Sequence, residues 1–368
     1  MIPLYKVHMP ETVLEALKHV VFSGYLADGD FVRRFEDALR DYLGNANITT
    51  NSDVSTALML ALYVAGVRPG DEVIASPVAC LATNQPILNL FAKAVWADVD
   101  PLTGNLDPSQ IPRLVTERTK AILYPHWAGD PAEIDAINAA ARAHGLQVIE
   151  DAGEALGAEY RGRKVGATGS DFTVFAFHAI RHITTGEGAA ITYADPEVAE
   201  RAGWLKRYGI HRPTFRDEWG EIDPSSDIPQ AGYNSYLTNL AAAIGLEQCK
   251  WVESIVARHR ANGEYYDRAL ADVPGITILR RPPYAKSAYW VYTLLAERRD
   301  DLLRALRGRG IYTSKVHLRN DGYSCFAASR RPLPGADAFT ARHLCIPSGW
   351  WVGEGDRERI VATIRQGW

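Results

Sequence analysis

Between residues 10 and 42 the apolar positions recur at helical spacing, Val13, Leu14 and Leu17 and then Phe31, Phe35 and Leu39, with the polar, glycine-bearing run 23–30 between the two sets. That period predicts two surface helices joined by a loop. A short β-prone run at 46–50 leads into Asn51-Ser-Asp-Val-Ser-Thr56 and then the apolar 57–63. Cap-type side chains directly before an apolar run predict a helix N-terminus, whose first N–H groups lack intrahelical acceptors and suit a phosphate. Asp53 works against that use, because a carboxylate there repels a phosphate dianion.

Further along, turn and strand patterns at 70–77, 93–100, 120–125 and 147–151 alternate with helical ones at 82–88 and 132–144. Strand and helix in alternation with short turns predict a mostly parallel sheet covered by helices on both faces, an α/β architecture. Residues 171–191 begin as an apolar β-prone run, break at a polar turn around Arg181 and His182, and resume as a strand after Gly186-Glu-Gly188. A helix is expected at 196–208, then a long polar segment with prolines at 209–231, of a length that is usually functional or disordered. An apolar helix at 240–248 and a long amphipathic one at 251–270 follow. Beyond them, strand patterns at 276–279, 289–295 and 311–316 alternate with helices at 300–308 and 356–364, which reads as a small C-terminal α+β domain. The expected division is a large α/β domain over 1–250 and a small domain over 251–368.

Composition narrows the function classes. A chain of 368 residues with 47% hydrophobic content can bury a large core, and a net charge of -4 speaks against nucleic acid or an anionic membrane as partner. Cys80, Cys249, Cys325 and Cys345 are scattered without a C-x-x-C pair or metal-ligand spacing, so a reduced cytoplasmic setting and no metal site are expected. The N-terminus lacks a basic segment before a long apolar core, and no run approaches about 18 apolar residues, so neither export nor membrane anchoring is expected.

Candidate chemistry gathers at strand ends. Asp151 closes the apolar strand 147–151, where an α/β sheet presents ligand-binding groups. In the C-terminal region His317, Arg319 and Asn320 sit just past a strand, a placement that fits substrate contact or an exposed loop.

Glu150-Asp151-Ala152, the run 171–191 and Thr184-Thr-Gly-Glu-Gly188, within a likeness extending from Ile2-Pro-Leu-Tyr-Lys6 to Cys345-Ile-Pro-Ser-Gly-Trp-Trp351, resemble the DegT/StrS-type sugar aminotransferases. The resemblance implies a fold-type-I transferase using pyridoxal 5'-phosphate (PLP), assembled as a homodimer with shared active sites. It places Val54 and Ser55 at the cofactor phosphate, Cys80 where an aromatic ring usually stacks on the pyridine, Asp151 opposite the pyridine nitrogen and Glu154 against the ring. It also places Ala176 where many members carry a phosphate-binding serine, and Asn234 at the phosphate across the dimer interface. Cysteine offers soft contact without a π face, so ring stacking is expected to be weaker.

In that alignment Arg181 occupies the position of the lysine that holds the cofactor as a Schiff base. A guanidinium stays protonated, so it can neither add to an aldehyde nor accept a proton. Losing a positioned acid–base group costs roughly 10²- to 10⁴-fold in rate. His182, the next residue, and Lys315 are the candidate substitutes; histidine titrates near neutrality. A branch of the family, the deoxysugar 3-dehydratases, has histidine at the lysine position itself and uses pyridoxamine 5'-phosphate (PMP). The resemblance therefore implies a sugar aminotransferase-type protein holding PLP or PMP noncovalently, with a keto or amino sugar, usually nucleotide-linked, as substrate and glutamate as amino donor. A PMP-dependent deoxysugar dehydratase-like enzyme and a non-catalytic sugar-nucleotide-binding paralogue are the alternatives.

Overall fold

The apolar runs of the first half become strands β1 (Ile48–Asn51), β2 (Glu72–Ala75), β3 (Lys93–Trp96), β4 (Thr119–Pro125) and β5 (Gln147–Asp151) in this computed structural model, which describes residues 1–368. A small ribbon, β6 (Glu159–Tyr160) and β7 (Arg163–Lys164), precedes β8 (Phe172–Ala176) and β9 (Ala189–Tyr193). Seven of these form one sheet in the order β1-β9-β8-β5-β4-β2-β3. The central pairs β2 with β3, β2 with β4, β4 with β5 and β5 with β8 are parallel, and β9 runs antiparallel to both of its neighbours.

Helices cover both faces, as the near-continuous apolar strands require. They are α1 (Thr12–Ser23), α2 (Asp30–Leu43), α3 (Val54–Val64), α4 (Leu81–Asn89), α5 (Ile134–Ala143), α6 (Pro196–Leu205), α7 (Arg212–Phe215), α8 (Asn239–Cys249) and α9 (Val252–Leu270). The period-2 alternation divides the strands between them: Phe172 and Val174 enter the core with Leu58 and Leu62 of α3, whereas Phe175 joins Phe35 of α2 and Ala242 of α8. On the β4 side Ile122 and Tyr124 pack with Ile137 and Ala141 of α5. Stacked this way, the parallel strands direct their C-terminal ends to one rim, where loops 126–133 and 152–158 and the turn 177–188 emerge.

The C-terminal third contains β10 (Ile276–Ile278), β11 (Ala285–Lys286), α10 (Arg299–Gly308), β12 (Tyr292–Ala296), α11 (Pro334–Arg342), β13 (His343–Ile346) and α12 (Glu354–Arg365). Strands β10, β12 and β13 make an antiparallel sheet over a separate core of Tyr266, Leu294, Leu302, Ile346 and Ile360. Among the contacts that cross the expected division at 250/251, Ile2 is buried in this second core and bridges to Ile311, and β11 pairs with β6.

One expected strand is absent. Residues 311–316 make only isolated bridges, at Ile311 and Ser314, because Val316 adopts φ +60° and turns the chain out of the pleat. The long segment 209–231 contains only the single turn of α7 and a bridge between Arg216 and Ile222.

Candidate active site at the strand ends

Asp151, the last residue of β5, sets the floor of a cavity whose walls include Cys80, Thr83, Trp127, Glu154, Arg181 and His317. Its carboxylate is buried, accepting from Thr83 Oγ1 at 2.6 Å and from the Gly153 N–H at 2.9 Å. No lysine, arginine or histidine lies within ion-pair distance of it. Burial pushes the Asp151 carboxyl up, and the Thr83 and Gly153 hydrogen bonds and the more distant Arg181 charge offset that only in part. A buried carboxylate without a cation invites a cationic ring nitrogen.

Glu154 is buried one turn beyond. Its Oε2 accepts from the Ala128 N–H at 2.8 Å, and its Oε1 from His317 Nε2 at 2.8 Å and Arg181 Nη1 at 3.2 Å. Burial alone would raise this carboxyl, but the bond and charge of His317, then the guanidinium of Arg181, hold it below the ordinary value. The β8–β9 turn that delivers Arg181 is pinned by Thr184, whose N–H donates to Gln248 Oε1 and whose hydroxyl donates to the Phe177 carbonyl. Trp290 Nε1 donates to the Ile180 carbonyl at 2.6 Å and offers its ring to the Arg181 guanidinium, 4.3 Å from the ring centre. Arg181 Nε is buried without a partner.

At the edge of the parallel strands, α3 opens with Asp53 as its cap, accepting from the Thr56 N–H at 2.9 Å. The carboxylate also accepts from the Thr56 and Ser52 hydroxyls, and the N–H groups of Val54 and Ser55 have no protein acceptor. Those two N–H groups are the donors a phosphate needs. Ala176 ends β8 buried beside Gly153, where an added Cβ would lie 3.2 Å from the Ala176 Cβ and 3.0 Å from Asp151 Oδ1. Cys80 caps α4 on the cavity wall, and burial pushes its thiol up.

Four expected site residues lie elsewhere. His182 is buried with Nε2 3.0 Å from the Ala288 carbonyl oxygen and its ring 4.8 Å from that of His259, so it does not face the cavity, and burial holds it well below the usual histidine range. Lys315 Nζ pairs with Asp300 at 3.3 Å, away from the cavity. Arg319 is occupied by Asp321 and Asp337. Asn320 is buried as a brace, donating to the Ala79 carbonyl and accepting from Asn84 Nδ2, both at 2.9 Å, which leaves no face for substrate. Only His317 of that polar cluster reaches the cavity. Asn234 is exposed, its backbone bridged to Arg207.

A sequence profile of the DegT/DnrJ/EryC1/StrS aminotransferase family matches residues 8–365. The chain belongs to that family. It is 31% identical over 359 residues to the erythromycin biosynthesis sensory transduction protein EryC1 of Saccharopolyspora erythraea, an alignment covering 96% of this chain and 94% of that one. Its structure superposes on the sugar aminotransferase CalS13 of Micromonospora echinospora with a TM-score of 0.95 at 35% identity, over 100% of each chain. It superposes on DesI, solved in the presence of its TDP-sugar product, with a TM-score of 0.88 at 27% identity, over 99% of this chain and 92% of that one. The family's members are PLP-dependent aminotransferases acting on sugars, and the fold of this chain is theirs.

Thr83, the Ala128 N–H and the Trp290 ring hold the charged groups of this cavity, and none of the three is among the residues expected from the sequence. Thr83 stands three residues after Cys80 on the opening turn of α4, a spacing that the sequence itself displays. Trp290 lies 110 residues from Ile180, and nothing in the local pattern points to their contact.

Proposed function

We propose that this protein is a sugar aminotransferase-type enzyme that holds PLP or PMP noncovalently and acts on a keto or amino sugar, nucleotide-linked, with glutamate as amino donor. The observation that carries the reading is the buried Asp151 at the end of β5, without a cation at ion-pair distance, facing a cavity whose wall bears Arg181; in this reading the guanidinium stands where the family's lysine amine would. The residues fit the cofactor. Asp151, oriented by Thr83, would face the pyridine nitrogen; the Val54 and Ser55 N–H groups, with the Ser55 hydroxyl, would hold the phosphate without a hydroxyl from Ala176; Cys80 would line the ring. When bound, the cofactor supplies an electron sink for a carbon beside the transferred nitrogen.

The chain's own groups then orient and exclude water. Arg181, fixed between Glu154 and the Trp290 ring, keeps four of its five N–H donors free of Glu154, and its charge attracts an acceptor oxygen of the bound substrate. Guanidinium cannot attach the cofactor, so ordinary transamination proceeds slowly. A homodimer in which Asn234 reaches the neighbouring phosphate belongs to the same reading.

Titration with PLP and with PMP under absorbance, on wild type and R181K, tests it. Both forms bind both cofactors, borohydride fixes PLP to R181K at position 181 and not to wild type, and transamination rises about 10²-fold or more in R181K. A wild-type protein that borohydride couples to PLP at any lysine, or that binds neither cofactor, overturns the reading.

A further inference from the structure

His317 and Glu154 form a carboxylate–imidazole pair inside the cavity. Nε2 lies 2.8 Å from Glu154 Oε1, and because a carboxylate only accepts, Nε2 carries the hydrogen. Nδ1 has no protein partner and is not among the buried atoms, so it is the nitrogen left to take a proton.

The ring is held in place. It lies nearly parallel to Trp290, centres 6.2 Å apart at 13°, and edge-on to Trp127 at 6.0 Å and 83°. Glu154 is fixed in turn by Ala128 and Arg181. This is the geometry in which a buried carboxylate selects one imidazole tautomer and faces the imidazolium when it forms. His317 also lines the open groove bounded by α10 and residues 314–318, so the ring stands between the cavity and solvent.

Geometry removes the rivals. His182 is turned into the core, Lys315 is paired with Asp300, and Cys80 carries a thiol that burial keeps protonated. Other titratable or charged groups near the pair are Asp151, Cys80, Cys345, Tyr5 and His126 around the cavity, the last with both ring nitrogens taken by Glu150 and the Ala132 N–H, and Asp300, Arg304, Arg307 and Lys315 along the groove.

We propose that His317, oriented by Glu154, moves protons in this cavity in place of the lysine amine that Arg181 cannot supply, an inference that rests on the functional reading above. When the Cα–H bond of the amino donor breaks, its proton bonds to Nδ1 and the electron pair stays on the carbon side, while Nε2–H remains on Glu154. The reverse transfer returns a proton to carbon or releases one through the groove, and the protein is neither oxidised nor reduced. Arg181 is a positioning residue in this scheme.

The test follows exchange of the L-glutamate Cα hydrogen in D2O by proton NMR with PLP-loaded protein, beside a PLP titration by absorbance. H317Q keeps PLP affinity within about 3-fold yet slows exchange about 10²-fold or more, whereas in the R181K background the same change costs less than about 10-fold because an amine again serves as base. Without cofactor, carbon-13 NMR of the Glu154 carboxyl reads the pair directly: H317Q raises its titration, since His317 is the first of the groups that hold it down, ahead of Arg181 and the Ala128 N–H. H317N repeats each measurement should H317Q fold poorly. Exchange that is absent in wild type or unaltered in H317Q, an equal loss in both backgrounds, or an unmoved Glu154 titration overturns the proposal. Wild-type protein that binds no PLP overturns the functional reading and this inference together, whereas binding with unaltered exchange in H317Q overturns the inference alone.

Discussion

Replacing Asp151 by asparagine should stabilise the cofactor-free protein and at the same time disable cofactor binding. The carboxylate has two hydrogen bonds and no counter-charge, and burial raises its pKa. The asparagine oxygen can still accept from the Gly153 N–H, but its NH2 then faces Thr83, whose hydroxyl must turn from donor to acceptor; the weakened bond and the remade one together cost roughly 2 kcal/mol. Removing the charge relieves a desolvation penalty of several kcal/mol, on the order of 3. The expected balance is a gain of about 1 kcal/mol for D151N at pH 7, read by urea denaturation.

The sign of the pH dependence follows. Because the folded-state value lies above the unfolded one, the penalty on wild type is complete above the folded value and disappears as pH falls below the unfolded one, near 3.8. The advantage of D151N should therefore shrink on acidification. With PLP present the order reverses: the lost buried pair, worth about 3 kcal/mol, weakens binding about 10²-fold. A D151N protein that is less stable than wild type at pH 7 without cofactor, or that binds PLP as tightly, would refute the assignment of Asp151 as an uncompensated cofactor partner.

Three further outcomes are expected. E154Q leaves Arg181 and His317 without their shared carboxylate and lowers stability by about 3 kcal/mol; because pairing depresses the folded Glu154 value, the gap to wild type is full above about pH 5 and closes as pH falls through that value, as denaturation at several pH values would reveal. T83V removes the hydroxyl that orients Asp151 and costs roughly 1.5–3 kcal/mol of stability at pH 7, with weaker PLP binding by equilibrium dialysis; unchanged affinity would mean that Asp151 needs no orienting partner. D53N keeps the α3 cap, so stability stays within about 0.5 kcal/mol, but removes a negative charge beside the Val54 and Ser55 N–H groups; calorimetry should find inorganic phosphate bound about 2- to 5-fold more tightly, less so at high salt.

What the sequence determined by itself was whatever depends on neighbours along the chain. The strand–helix alternation, the Asp53 cap and the placement of Asp151 at the end of β5 follow from period, capping side chains and strand length, all written within a few residues. The family motif located the Arg181 turn on the same local grounds. Tertiary structure decided which groups converge. His182 and Arg181 are adjacent in sequence yet face opposite ways, since the turn directs one side chain to the Ala288 carbonyl and the other to Glu154. Lys315, His317 and Asn320 share one segment, but Val316 in a left-handed conformation sends them to Asp300, to the cavity and to the 77–80 loop. The contacts of Glu154 with His317 and of Ile180 with Trp290 close over 163 and 110 residues, distances at which only the packing of the C-terminal sheet against the rim of the large one sets position, and no local pattern records it.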